Sequence, residues 1–153
     1  MRRRDIDNRD ELTDIIKRCQ WCHLAMVDTE GSPYVIPMNF GFRDGIIYMH
    51  GAGAGKKISA LIKNSYVCVN FSTDHLLRYQ NEDVACSWSM NYRSVLVYGK
   101  AEFISGDEDK IDALNIIMAQ YSGKTFKFNQ PSIREVKVWK IPVEKIEGRA
   151  FGY

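Results

Sequence analysis

The chain has 153 residues, 45% of them apolar and 12% aromatic, which suits one domain with a real core. Its 21 basic and 19 acidic residues leave a net charge of +2, too little for a polyanion-gripping surface, so nucleic acid is not an expected partner. No apolar run approaches the roughly 18 residues of a membrane span, and Arg2, Arg3 and Arg4 lead into polar residues rather than an export signal.

A single soluble, cytoplasmic domain over 1–153 is the expectation, without a membrane partner. The three arginines are expected to form a solvated tail. In a chain lacking an export signal, Cys19, Cys22, Cys68 and Cys86 are expected to remain thiols.

From Asn8 to Cys19, Leu12, Ile15, Ile16 and Cys19 recur at helical spacing with Asp10 and Glu11 in the first turn, which predicts an amphipathic opening helix. Two extended runs follow, Cys22 to Val27 and Tyr34 to Phe42, separated by a hairpin-like Asp28-Thr29-Glu30-Gly31-Ser32. Asp44-Gly45 turns the chain into a strand from Ile46 to His50. Beyond a glycine-rich stretch, Ile58, Leu61 and Ile62 predict a short helix ending near Asn64, and Tyr66 to Ser72 alternates as a strand.

Thr73 to Asn91 reads as polar and irregular, long enough that a compact domain keeps it for a site or an interface. Tyr92 to Ile104 reads as one long strand with Gly99 at a bulge or bend. Ser105 and Glu108 have the spacing of a capping box, opening a helix with Ile111, Leu114, Met118 and Tyr121 along one side and an end near Gly123. Pro131 falls in a polar loop, and Val136 to Ile141 and Lys145 to Arg149 are the last extended runs. Strands that follow one another through short turns, with helices outside the series, predict a mainly β antiparallel barrel with flanking helices and not βαβ units.

The run His50-Gly51-Ala52-Gly53-Ala54-Gly55-Lys56-Lys57 leaves a strand and enters a helix. Glycines permit close backbone approach, a helix N-terminus points amides at an anion, and two lysines add charge, so a phosphate is expected here. A Walker A loop needs glycine at His50 and a hydroxyl at Lys57; a Rossmann fingerprint needs glycine at Lys56 and a longer helix. Both patterns fail. Cys19-Gln20-Trp21-Cys22-His23 matches the C-x-x-C-H of covalent haem attachment, but it straddles a helix end and an apolar strand in a chain without an export signal. A zinc site there lacks a second ligand pair, so core packing is the reading preferred and no metal is expected. His75 is expected at the surface; His50, at the mouth of the loop, is a ligand candidate.

Three ordered blocks, Pro33-Tyr34-Val35-Ile36-Pro37-Met38-Asn39-Phe40, then Ile47-Tyr48-Met49-His50-Gly51 with Gly55-Lys56-Lys57, then Tyr92-Arg93-Ser94-Val95-Leu96-Val97-Tyr98-Gly99, resemble the pyridoxamine 5′-phosphate oxidase-like FMN-binding split barrels. Within them the likeness is to the Nim-type nitroimidazole-resistance branch. The resemblance implies an antiparallel split β-barrel that forms a homodimer with FMN at the subunit interface. Lys56 and Lys57 match the basic positions at the phosphate, beside Gly51 and Gly55. Pro37 to Phe40 matches the strand along the isoalloxazine, with backbone groups of Met38 and Asn39 at its polar edge. Met49 and His50 match the strand end near the flavin, where the histidine of the Nim-type branch belongs to the active site. Tyr92, Arg93 and Ser94 would come from the neighbouring subunit, and Arg149 matches the last strand loosely. The oxidases continue into an arginine- and histidine-containing tail, which this sequence, ending at Tyr153, does not show, so vitamin B6 oxidation is not expected.

The chemistry so implied is FMN-dependent oxidoreduction, with a reduced nicotinamide as donor and a small acceptor such as a nitroimidazole. His50 would be the proton donor that offsets charge on the acceptor. The alternatives are a flavin-binding or flavin-sensing module without a substrate, and a split barrel holding haem or a deazaflavin. Trp88 and Tyr92 could stack on flavin or pack between subunits.

Overall fold

In the computed structural model, which describes residues 2–153, the chain builds two antiparallel sheets and four helices. The strands are β1 (Arg3–Ile6), β2 (Cys22–Val27), β3 (Pro33–Met38), β4 (Gly41–Arg43), β5 (Ile46–Gly51), β6 (Tyr66–Arg78), β7 (Ser89–Lys100), β8 (Glu102–Ile104), β9 (Lys137–Pro142) and β10 (Lys145–Phe151). The helices are α1 (Arg9–Arg18), α2 (Lys56–Lys63), α3 (Asp107–Ala119) and α4 (Gln130–Glu135). One sheet runs β1-β10-β7-β6-β2-β3 and the other β4-β5-β9-β8. The mainly β antiparallel expectation is met.

A single core fills the space between the sheets. Leu24 and Met26 of β2, Val67, Val69 and Phe71 of β6, Val95 and Val97 of β7, and Ile47, Met49, Trp139 and Ile141 of the smaller sheet are all buried in it. The inner faces of α1 (Leu12, Ile15, Ile16) and α2 (Ile58, Leu61) join the same core. A second cluster, Ala113, Leu114, Ile117, Ile133 and Val138, packs α3 and α4 on the far side of the smaller sheet. Among the described residues, the buried faces of all four helices belong to these two clusters and none is assigned to the outer face of the six-stranded sheet.

Local chemistry explains the elements that match. Asn8 caps α1 by accepting from the Glu11 amide, and Asp28 organises the β2–β3 turn by accepting from the amides of Glu30 and Ser32, with Gly31 at φ +84°. Pro33 and Pro37 lie on β3, an edge strand, where a missing amide costs no ladder bond.

Several expectations change. Arg3 and Arg4 are not tail but strand: β1 pairs with β10, anchored by buried Ile6, because backbone pairing leaves no mark on side-chain composition. The run from Tyr34 to Phe42 breaks at Asn39-Phe40, where the chain crosses from one sheet to the other; the Phe40 amide donates to Tyr121 Oη at 3.1 Å instead of to a ladder. Ile62 is 70% exposed, and α2 buries Ile58 and Leu61 together with Ala60. β6 does not end at Ser72 but runs to Arg78, and most of the supposed irregular segment is a hairpin arm of β6 and β7 around a short turn at Ala85–Ser87. A bulge between Thr73 and Leu76 breaks the alternation there, which is why periodicity missed it.

Gly99 is not at that bulge. A Cβ there would collide with the Pro142 carbonyl, so glycine is required by close approach of β9. The long strand also breaks, at Ala101, into β7 and β8 of different sheets. The helix cap is Gly106, without a side-chain bond, and not Ser105. Of the predicted Ile111-Leu114-Met118-Tyr121 line α3 buries Leu114, with Ile111 packed beside it, and the rest of its buried face is Lys110, Ala113 and Ile117; Lys110 is accommodated there by donating to the carbonyls of Ile133 and Val136. Those carbonyls lie in α4 and at its C-terminal end; Pro131 occupies the first turn of α4 behind an Asn129 cap.

Candidate functional site

The glycine run lies where expected, between the end of β5 and the start of α2. Gly55 caps α2 at φ 130°, ψ −179°, a conformation open in practice to glycine alone, and supplies no side-chain acceptor to the first helical amides. Those amides are therefore left for an anion. Gly53 passes so near α4 that a Cβ would stand 3.0 Å from the Glu135 carbonyl oxygen. Gly51 faces Trp139 and Lys57: from its Cβ position the Trp139 ring edge is 3.4 Å away and Lys57 Nζ 3.5 Å.

The two lysines part company. Lys57 is half-buried, its ammonium beside Gly51 and 4.0 Å from Met38 Sδ, with no carboxylate partner among the described residues. Lys56 turns away, 3.8 Å from Asp28 Oδ2 and 4.3 Å above the centre of the Tyr34 ring. Asp28 is held below the usual carboxylate range first by the backbone amide of Ser32, with Lys56 adding to it. Farther along α2, Lys63 donates to the Thr29 carbonyl at 2.6 Å, so the β2–β3 turn grips one side of the helix while Lys57 occupies another.

His50 leaves β5 on the face that carries Tyr48, opposite to that of Met49, and unlike Tyr48 it is exposed. Its pKa lies below the ordinary 6.5, first because its ring is partly shielded from water and second because of the Lys57 charge. Buried in the barrel, the Met38 side chain leaves only backbone to offer a ligand, whereas Pro37 and Asn39 are exposed and Phe40 is buried edge-on to Phe71 at 4.9 Å.

Tyr92, Arg93, Ser94 and Arg149 are not brought to this site within one chain. Three strand spacings separate Met38 on β3 from Ser94 on β7, about 14 Å. Tyr92, Ser94 and Arg149 instead occupy the outer face of the six-stranded sheet, Tyr92 stacked on Phe151 at 6.1 Å. Arg93 points the other way and is engaged by Asp74 at 2.8 Å and by the Tyr153 ring at 4.0 Å.

Trp139, Glu135, Asp28, Tyr34 and Tyr121 belong to this neighbourhood and were not visible beforehand. Trp139 is fully buried with its indole Nε1 unpartnered among the described residues. Its contact with Gly51 spans 88 positions, and no spacing rule reaches that far. Both thiols of the C-x-x-C-H run are buried: burial pushes the Cys19 thiol up to about 11 and raises that of Cys22, whose Sγ lies against the Met38 carbonyl. His23 is exposed, and His75 bonds Ser72 Oγ at 2.7 Å on the surface. A groove of about 1490 Å³ between Phe42, Tyr48, Phe103 and α3 is lined by none of the predicted site residues.

Residues 8–150 match the family model described as pyridoxamine 5′-phosphate oxidase. The chain belongs to that family. Within it, the chain is similar at 40% identity to the crystal structure of a candidate 5-nitroimidazole antibiotic resistance protein from Bacteroides thetaiotaomicron, with a TM-score of 0.89 over 98% of this chain and 88% of the other. The fold is shared with a flavocytochrome from Azotobacter vinelandii (21% identity, TM-score 0.83, 97% of this chain and 70% of that one). It is shared also with an FAD and haem binding protein from Mycobacterium smegmatis (18%, 0.86, 97% and 74%). No curated protein matches the chain. Pyridoxamine 5′-phosphate oxidase family membership thus accounts for all three sequence blocks, and among the described residues no helix is long and apolar enough to cross a membrane.

Proposed function

We propose that this member of the pyridoxamine 5′-phosphate oxidase family is an FMN-dependent oxidoreductase, acting as a homodimer, that passes electrons from a reduced nicotinamide to a small acceptor such as a nitroimidazole. The observation that carries the proposal is the coincidence of the uncapped α2 N-terminus with the unpaired, half-buried ammonium of Lys57. Such a pair fits one terminal phosphate. The buried, unpartnered Trp139 Nε1 beside the loop is also consistent with a polar ligand group nearby.

FMN, when bound, supplies the electron-transfer chemistry. This chain's residues would bind and orient: Lys57 and the first amides of α2 at the phosphate, the backbone of Met38 and Asn39 along the ring. Tyr92, Ser94 and Arg149 are too far from these to serve the same site, and their outward placement supports a role from a second copy. His50, its pKa held below the ordinary value, would hold a proton on a ring nitrogen and offer it as a hydrogen bond to charge growing on the acceptor. A phosphate beside Lys57 would offset its charge and bring the His50 pKa back up. The haem alternative through Cys19 and Cys22 draws no support from two buried thiols.

The test is the purified protein's absorption spectrum, the mass of any flavin released on denaturation, and nicotinamide-dependent reduction of a nitroimidazole. One FMN per chain with turnover supports the proposal; failure to bind added FMN at tens of micromolar removes it. Binding without turnover by any donor leaves a flavin-binding module.

A further inference from the structure

Beyond Asn91 and Ser72, β6 and β7 leave the barrel together as an arm ending in the turn at Ala85–Ser87. Leu77 pairs with Met90, and the next outward pair, Tyr79 and Trp88, stacks with ring centres 4.2 Å apart. All four side chains share one face and are exposed by 55%, 45%, 50% and 38% respectively. The opposite face carries Arg78, Ser89 and Asn91, with Leu76 at its root. Such an alternation specifies a buried face, yet among the described residues nothing of this chain covers it.

The arm is aimed rather than loose. At its root Asp74, at φ 58°, accepts from Arg18 at 2.5 Å and Arg93 at 2.8 Å, and its carbonyl accepts from Tyr153 Oη at 2.7 Å. A two-stranded ribbon with one exposed apolar face is marginal in water by itself, so an arm so braced needs a partner for that face.

Size and position identify the occupant. Met90 and Trp88 continue the outward register of Tyr92, Ser94, Leu96 and Tyr98 on β7, so the arm's apolar face extends the uncovered outer face of the six-stranded sheet. That outer face also presents Pro33, Val35 and Pro37 on β3, Val27 on β2 and Tyr66 on β6. The four arm side chains expose roughly 350 Å², as much as the largest patch of an ordinary monomer. The sheet adds about 450 Å², from five strand spacings whose ladders outside the arm average between five and six paired residues. The total of about 800 Å² matches the roughly 800 Å² per partner of a stable interface. The tip, Asn81, Glu82 and Asp83, is polar and acidic, which suits a protein neighbour and opposes insertion into lipid.

We propose that the β6–β7 arm is a clasp that lays its Leu77-Tyr79-Trp88-Met90 face on a second copy of this chain. It is the outer end of one self-complementary interface, and through it each arm holds Tyr92 and Ser94 against the other copy. The proposal rests on the homodimer reading above and adds the element that secures it.

The experiment is sedimentation velocity of the wild type and of Leu77→Ser/Met90→Ser, a pair whose side chains make no hydrogen bond, with hydrogen exchange of residues 76–91 in the wild type at concentrations on either side of the dimer dissociation constant. A dissociation constant raised at least tenfold, with arm amides slowed at least tenfold in the wild-type dimer alone, is expected. A wild type still monomeric at 100 μM overturns the homodimer reading and the clasp with it. A wild-type dimer whose arm exchanges equally at both concentrations, or whose variant dimerises as tightly, overturns the clasp alone; the wild-type exchange decides even where the variant does not fold.

Discussion

Replacing Lys57 by methionine keeps the hydrocarbon stem beside Gly51 and Met38 and removes only the ammonium. Two unit charges about 4 Å apart at an effective dielectric near 20 attract by about 4 kcal/mol. After both are desolvated, a hydrogen bond to a charged group keeps about 1.5–3 kcal/mol of that, so FMN affinity should fall roughly 10- to 150-fold. Lys56→Met is the internal comparison. That ammonium is mostly exposed and already shared between Asp28 and Tyr34, so its loss should change FMN affinity by less than about threefold. Riboflavin, which has no phosphate, should bind wild type and Lys57→Met within about twofold of each other, since the charge has nothing to meet. Quenching of flavin fluorescence on titration measures all these constants. An equal loss in the Lys56 and Lys57 variants, or a riboflavin affinity that falls in parallel with that for FMN, refutes the assignment of the phosphate to Lys57.

Gly41→Ala should lower stability by about 2–3 kcal/mol in urea unfolding, because the new Cβ would stand 2.7 Å from backbone atoms of Ile116 and Ile117, which a helix cannot yield; a loss below about 0.5 kcal/mol would mean that α3 does not press on β4. Asp74→Asn keeps a residue that tolerates positive φ but loses charge pairing to Arg18 and Arg93, at a cost of about 1–2 kcal/mol at pH 7. Because Arg18 holds the Asp74 carboxyl below its ordinary 3.8, that contribution is present above pH 3.8 and fades as pH falls below it, so the two proteins should converge in acid; a deficit that persists at pH 2 contradicts the linkage. For His50 the sign is set by a folded pKa below 6.5: the unfolded chain takes the proton first, so stability present above pH 6.5 declines as pH drops toward the folded value. Histidine NMR titrations of the apo protein should place His50 below 6.5, with an upward shift in Lys57→Met and on adding FMN; a resonance at or above 6.5 in the apo protein contradicts it.

Neighbouring residues made the glycine loop legible. Glycines, a strand end and a helix start fall within eight positions, and the α1 cap, the β2–β3 turn and the core stripes of β2 and β6 are likewise local patterns of period or turn chemistry. Equal weight for Lys56 and Lys57 was the natural reading, since adjacent residues look alike until something distant tells them apart. Asp28 and Tyr34 do so, through a hairpin that folds back onto α2. The arm escaped for a related reason: the bulge at Thr73–Leu76 shifts its register, and its apolar face has nothing in the same chain to pack on.

The order of blocks along the chain was enough by itself to indicate the family, the antiparallel class and the position of the glycine-rich helix start, because these depend on contacts a few residues apart. Only the tertiary structure decided which lysine is free, that the His50 pKa lies below its ordinary value, that Trp139 and Glu135 line the loop, and that Tyr92, Ser94 and Arg149 face outward from another part of the molecule. Each of these follows from strands of distant sequence meeting in one sheet, where burial and charge are set by neighbours that no local pattern contains.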